Sequence, residues 1–391
     1  MGIKGRRRAV QACSTVYEVK GKSNGFEMAS NEEPAASESV ANPALQIVSV
    51  RVKHRRSSEM TVTYADGGRY TGQIDEEQKR HGYGAYTTRI GHVYEGDWIH
   101  GTFHGYGSQV FAVTGDRHEG MYHKNHRHGM GTYLWANGDK YVGDFKLGKM
   151  HGFGSFVGSN GDRYEGDWKK GMMHGKGKKT FASGDIIEGE WKKNQVYGHG
   201  KKIFSSGDVY EGSFARDERH GFGRYTWVNG DQHEGTWRNG VMHGKGIFTP
   251  STGGSLQGTW YDDELHGHGV HVFACGTVFS GTYHRGTKRG FGVLKLTTGD
   301  EYEGSWDKDQ INGFGTWSTI HGHRFIGMWV NGIASGPGLY CRGTEPSELD
   351  DEEEPAESHP SETALESGIF KAGRLESCDS FVVPKLLVPN E

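Results

Sequence analysis

Segments of the form aromatic-x-Gly-x-aromatic recur along the chain, opening at Tyr70, Tyr94, His118, Tyr141, Tyr164, Ile187, Tyr210, His233, Leu256, Phe279, Tyr302 and Phe325. The numbering advances by 24 at the first two steps and by 23 at every later one. A register held this long defines a repeat array of twelve units, and no unit this short can bury a core alone. Each must lean on its neighbours, and the two ends need caps.

Within the unit from Tyr164 the chain reads Tyr164-Glu165-Gly166-Asp167-Trp168, a lysine-rich turn, His174-Gly175-Lys176-Gly177, Phe181 and Gly184-Asp185. Counting the opening residue as position zero, glycines recur at offsets 2, 11, 13 and 20, and aromatics at 0 and 4. Large apolar residues fall at 15 or 17, as at Phe156, Phe181, Phe204, Tyr225, Trp227, Phe248, Phe273 and Trp317. Constant parity within each half predicts two short strands per unit, because alternate strand residues share a face. Tyr164, Gly166 and Trp168 then lie on one face, with Glu165 and Asp167 on the other, facing water. The loop around Lys169 to Met173 closes a β-hairpin, and turns of the Gly184-Asp185 type lead into the next.

Glycine makes up 64 of 391 residues against 9 prolines, which excludes a helical protein and fits neither collagen nor a proline-rich linker. Rings laid over glycines of neighbouring strands give this excess a role, by covering backbone that is otherwise wet. The expected fold is all-β: an elongated single-layer antiparallel meander of about twelve hairpins. Each hairpin adds about 10 Å and the array spans roughly 105 Å.

The motif Tyr164-Glu165-Gly166-Asp167-Trp168, His174-Gly175-Lys176-Gly177 and Gly184-Asp185, iterated at this constant period, closely resembles the MORN (membrane occupation and recognition nexus) repeat. The resemblance covers Tyr70 to about Tyr340. Ile187, Leu256, His118 and His233 depart from it at the opening position, and Pro250 and Pro337 fall in expected second strands, the latter near a terminating edge. The resemblance implies a scaffold, with relatives in axonemal radial spokes, basal cytoskeletal complexes and membrane junctions.

Four segments follow: residues 1–57, basic and then Ser/Glu/Ala-rich, mostly disordered; 58–69, a degenerate half-repeat or cap; 70–341, the twelve repeats; and 342–391, an acidic, mostly disordered tail. Ten acids and no Lys or Arg lie between Glu345 and Glu366, so the chain's net charge of −4 conceals a body at +6. Phe381 to Val388 forms a short apolar end, read first as part of a floppy tail and second as able to dock on a groove or sheet edge of a partner or of the array itself. Cys13, Cys275, Cys341 and Cys378 show no paired spacing, which suits a reducing compartment. No run reaches the length needed to span a bilayer, and a secretory signal is not evident at Met1 to Arg6.

Candidate sites are few. Histidine precedes Gly-x-Gly at His81, His104, His128, His151, His174, His220, His243 and His266. Residues one repeat apart in a column lie about 10 Å from each other, too far to share an ion, so this column reads as turn histidines that charge together near pH 6. Lys169, Lys170, Lys178, Lys179, Lys192, Lys193, Lys201 and Lys202 occupy equal offsets in two consecutive repeats and form a candidate patch for anionic phospholipid headgroups or a protein partner. Arg6 stands where N-myristoylation of Gly2 wants Ser or Thr, which leaves Cys13 as a lipidation candidate. Gly21-Lys22-Ser23 lacks the upstream glycine and the frame of a phosphate loop. Without a catalytic, metal or cofactor signature, and without a nucleic-acid module, the expectation is a non-enzymatic scaffold. It places the protein in the cytoplasm on the cytoskeleton, in a cilium or flagellum, with axonemal proteins, possible self-association and, alternatively, anionic membranes as partners.

Overall fold

The computed structural model describes residues 60–343, 365–371, 373–375, 378–382 and 385–386. Among these residues it contains 28 strands, each pairing antiparallel with the next in chain order, in one open sheet. Each repeat contributes an opening strand and a returning strand, such as Arg163–Lys169 and Met172–Thr180. Met60–Thr63 pairs with Arg69–Ile74 and begins the sheet, in the segment where a half-repeat is expected.

The hairpin turn is tighter than the sequence suggests. Lys169 pairs with Met172, leaving only Lys170 and Gly171, at φ +55° and +83°, to reverse the chain. Two successive positive φ angles define the type I′ turn whose twist suits a hairpin. The same geometry recurs at Lys193–Asn194, Arg216–Asp217 and Asn239–Gly240. Where the second turn residue is Asn or Asp, its side chain accepts a hydrogen bond from the preceding repeat: Asn194 Oδ1 from Met173 N, and Asp217 Oδ1 from Val196 N, both at 2.8 Å.

Farther along the hairpin, Gly166 pairs with Gly177 but Trp168 pairs with Met173, so the returning strand carries two extra residues in a bulge around His174, Gly175 and Lys176. Gly175 takes φ +61°, and Asp167 Oδ2 accepts the Lys176 N–H at 3.0 Å. At the opposite edge, Asp185 Oδ1 accepts the Ser205 N–H at 2.9 Å, and the same link to the next repeat recurs from Asp116, Asp139, Asp162, Asp208 and Asp231. The two edges of the sheet are thus laced by ladders of turn hydrogen bonds.

One face buries the rings. The Tyr164 ring covers Gly166 and Gly177, such that a Cβ at Gly177 runs into it, and its hydroxyl donates to the Asp167 carbonyl at 3.0 Å. Trp168 stands edge-on to Tyr164 at 5.1 Å, while its indole N–H reaches back to the Gly154 carbonyl of the preceding repeat at 3.1 Å. Six further tryptophans make this link, from Trp98, Trp191, Trp237, Trp260, Trp306 and Trp329. The core is therefore a row of mainly aromatic side chains in two clusters, Tyr70 to Tyr122 and Tyr133 onward, with the buried His118 ring between them against Tyr122 and Phe145. Cations join it: the Arg219 guanidinium lies 4.5 Å from the Trp237 ring centroid and donates to the Gly240 carbonyl.

Three expectations change. Pro250 follows the strand Val241–Thr249 and starts the connecting turn. Pro337 is not at a terminating edge, because Ile333–Cys341 pairs with a further strand, Leu365–Lys371. That strand aligns Gly368 with Gly338 and places Phe370 in the core, so it opens a thirteenth, degenerate hairpin inside the segment expected to be mostly disordered. Leu386 is buried and donates its N–H to the Gly332 carbonyl at 2.9 Å, so part of the apolar end docks on the array itself. Residues 1–59, including Gly2, Cys13 and Gly21-Lys22-Ser23, and the acidic run Asp350 to Glu354 lie outside the described residues.

Candidate binding face

The opposite face is not the uniformly charged surface that the alternation implies. Glycines at offsets 11 and 13 belong to the ring side, so the residue between them must point outward. Tyr83, Tyr106, Met130, Phe153, Phe222, Phe291 and Phe314 occupy that place, at exposures of 44 to 59%. Lys176, His199, Lys245 and His268 interrupt them. Over four consecutive repeats, Tyr83 to Phe153, the place stays apolar, and exposed apolar surface of this kind is a candidate contact site.

Each column residue stands opposite offset 3 of the next repeat. In the first half these partners include Asp97 facing Tyr83, Asp144 facing Met130, Asp167 facing Phe153 and Glu190 facing Lys176. In the second half they become Ser213, Thr236, Thr259, Thr282 and Ser305. This offset therefore changes from mainly acidic to mainly hydroxyl-bearing along the array, with Met121 and Met328 as exceptions, while Glu211, Glu234 and Glu303 keep acids on the second half of the face. Tyr83 and Tyr106 donate their hydroxyls to Glu95 and Glu119 of the following repeat at 2.8 and 2.7 Å. Both phenols are pushed up to about 12, Tyr83 mainly by burial and Tyr106 mainly by its bond to the Glu119 carboxylate.

Two concavities lie along this face. One, of about 710 Å³, is walled by Phe153, Lys176 and His199 with Glu165, Glu188 and Glu190, over Gly166, Gly177, Gly189 and Gly200. The other, of about 500 Å³, is walled by Phe222, Lys245, His268, Ile247 and Val270 over Gly235, Gly246 and Gly258. Bare glycine backbone makes the floor, and the column residues make the ridges.

The eight candidate lysines do not converge. Lys179 and Lys202 lie on the ring side, half-buried, 3.7 Å from Asp162 and 3.2 Å from Asp185, each over a phenylalanine ring. Lys178 and Lys201 point to the other face, where both stand across from Glu188. Lys169, Lys170, Lys192 and Lys193 are exposed together on the type I′ turn edge. Consecutive strand residues point oppositely, which is why equal offsets alone do not make one patch. Cys275 and Cys341 carry free thiols. Among the described residues no helix is long and apolar enough to cross a membrane.

An open single-layer meander with one buried aromatic face and one ridged outer face defines a β-repeat scaffold, a class in which the array itself is the binding surface. The chain belongs to the MORN repeat family, which matches residues 94–113, 118–140, 141–163, 164–186, 188–209, 210–232, 233–255, 257–278, 279–301, 302–318 and 325–344. The hairpin from Tyr70 lies outside the matched segments, although its strands pair as the others do. No curated protein matches the chain significantly. Among solved structures, the TCP10 domain of Danio rerio CPAP in complex with a STIL peptide is similar at 11% identity, over 57% of this chain and 93% of that one, with a TM-score of 0.32. The SAS-4 TCP domain of Drosophila melanogaster, in complex with a proline-rich motif of Ana2, is similar at 10% identity over 44% and 88%, with a TM-score of 0.28.

Proposed function

We propose that this MORN array is a non-catalytic scaffold that assembles proteins of the cytoskeleton, in the axoneme of a cilium or flagellum or at its base. The observation that carries the reading is the exposed aromatic column, in which Phe153, Phe222, Phe291 and Phe314 ridge a glycine-floored outer face. A partner segment laid along this face meets apolar ridges at the repeat spacing from Tyr83 to Phe153, and then Phe222, Phe291 and Phe314 separated by Lys176, His199, Lys245 and His268. The test is to extract tagged protein in its own cell type with non-ionic detergent. Retention on the resistant cytoskeleton is expected, with loss of retention when Phe153, Phe222, Phe291 and Phe314 become Ser; release of the unaltered protein with the membranes refutes the reading.

A membrane reading rests on one observation, the shared turn edge of Lys169, Lys170, Lys192 and Lys193. It expects salt-sensitive binding to anionic vesicles that disappears when these four become Glu. Unchanged vesicle binding in that variant removes the lysine mechanism.

A further inference from the structure

Histidines of different offsets meet across repeat junctions. The bulge histidine of one repeat approaches a histidine at the hairpin turn of the next: His81 and His100 at a ring separation of 5.5 Å, His104 and His123 at 4.8 Å, and His266 and His284 at 5.1 Å. Looking down one column hides these pairs, since each joins two columns. At the first junction a carboxylate completes the set. Asp75 Oδ2 lies 2.9 Å from His100 Nδ1 and 4.0 Å from His81 Nδ1.

We propose that Asp75, His81 and His100 form a binding site for a divalent transition cation of borderline softness, with zinc the fitting occupant. Their ligand atoms lie within 4.8 Å of one another. Ligands about 2.0–2.2 Å from a tetrahedral zinc stand roughly 3.3–3.5 Å apart, so the observed 2.9 and 4.0 Å separations straddle the required spacing. The buried Nδ1 of His81 has no hydrogen-bond partner, an arrangement that asks for an ion or water. Asp75 is already oriented by its other oxygen, which accepts the Glu77 N–H at 3.0 Å and the Lys79 N–H at 2.8 Å. This backbone support plays the outer-shell role that fixes a metal ligand. The nearest lysine does not take the place of the metal, because Lys79 Nζ is held by Glu77 at 2.6 Å. Three protein ligands leave a fourth position for water or for a donor from a partner. The bound ion ties the first hairpin of the array to the second.

The test titrates the full chain with cobalt(II), reads the visible absorption of a tetrahedral site, and then displaces the cobalt with zinc. One equivalent is expected, with at least a tenfold loss of affinity in both D75N and H100A and no change in H266A. Zinc should also raise the unfolding temperature of the natural chain but not of H100A. Asp75 supports its turn, so D75N carries a risk of misfolding; the His100 side chain is 65% exposed, and H100A keeps the proposal testable. Absence of saturable binding, or binding unaffected by H100A, overturns the proposal, as does cobalt held at the carboxylate-free junctions alone.

Discussion

His118 and His233 replace the opening tyrosine, and each fills its place as a buried, neutral ring. Burial lowers them from about 6.5 to about 3 and about 4. The unfolded chain therefore takes up a proton at pH values where the folded one does not, so stability present above about pH 6.5 falls as pH drops toward 4. At pH 5 each histidine costs up to about 2 kcal/mol relative to neutral pH. Denaturation at pH 7 and pH 5 should show the loss, and H233Y should reduce it; an undiminished loss in H233Y refutes the assignment. The glycines divide in the same way by environment. Gly148 sits at φ +78° with nothing near a Cβ, so Gly148→Ala costs only the left-handed backbone, about 1–2 kcal/mol. Gly177 lies outside the left-handed region, so Gly177→Ala carries instead the collision of its methyl with the Tyr164 ring, about 1–3 kcal/mol in urea denaturation. A negligible cost at Gly177 contradicts the ring-over-glycine packing.

At the scale of the hairpin, the aspartate ladder makes a distinct prediction. Asp185 joins its turn to the next by accepting the Ser205 N–H, and that bond, followed by Lys202, holds its carboxyl below the usual range. Asp185→Ala should cost about 1–2 kcal/mol and increase hydrogen exchange in the turn at 205–208. Unchanged protection there shows that the ladder does not hold the turns. Constant parity made the strands, the ring face and the hairpins legible in the sequence. The two-residue turn at Lys170–Gly171 was obscured by Lys169, Met172 and Met173, which belong to the strands. The outer column was harder to see, since Tyr83, Met130, Phe153, Lys176 and His199 share a place but not a chemistry. The usable signal was the pair of flanking glycines, whose parity already required the residue between them to face outward. The candidate lysines failed as one patch for the same reason, as Lys178 and Lys179 show. The two longer repeats place their extra residue differently, the first in the turn at 75–79 and the second in the connection at 112–115, so neither disturbs the register of the ring face.

At the scale of the molecule, pairing among the described residues runs only between consecutive strands, so stability propagates from neighbour to neighbour. The thirteenth hairpin escaped the periodic pattern because the acidic stretch between Cys341 and Leu365 displaces it from the register of the other repeats. Its opening strand covers Ile333–Cys341, and Leu386 closes over the neighbouring turn. Removing residues 344–391 should leave the array folded but bare along that strand, and bare edges pair. Light scattering should then report a larger mass for the truncated chain than for the whole chain at equal micromolar concentration; equal masses argue against capping. The tryptophan link has a different consequence. Because the indole of each such repeat closes on a glycine carbonyl of the one before, and every repeat carries that glycine, a tryptophan repeat can form the same link whichever copy precedes it. A copy gained by duplication can seat itself between two others without leaving a void, and everything beyond it moves outward by two strand widths. The span between the first junction and the terminal hairpin is thus a heritable length, adjustable in steps of about 10 Å by copy number alone.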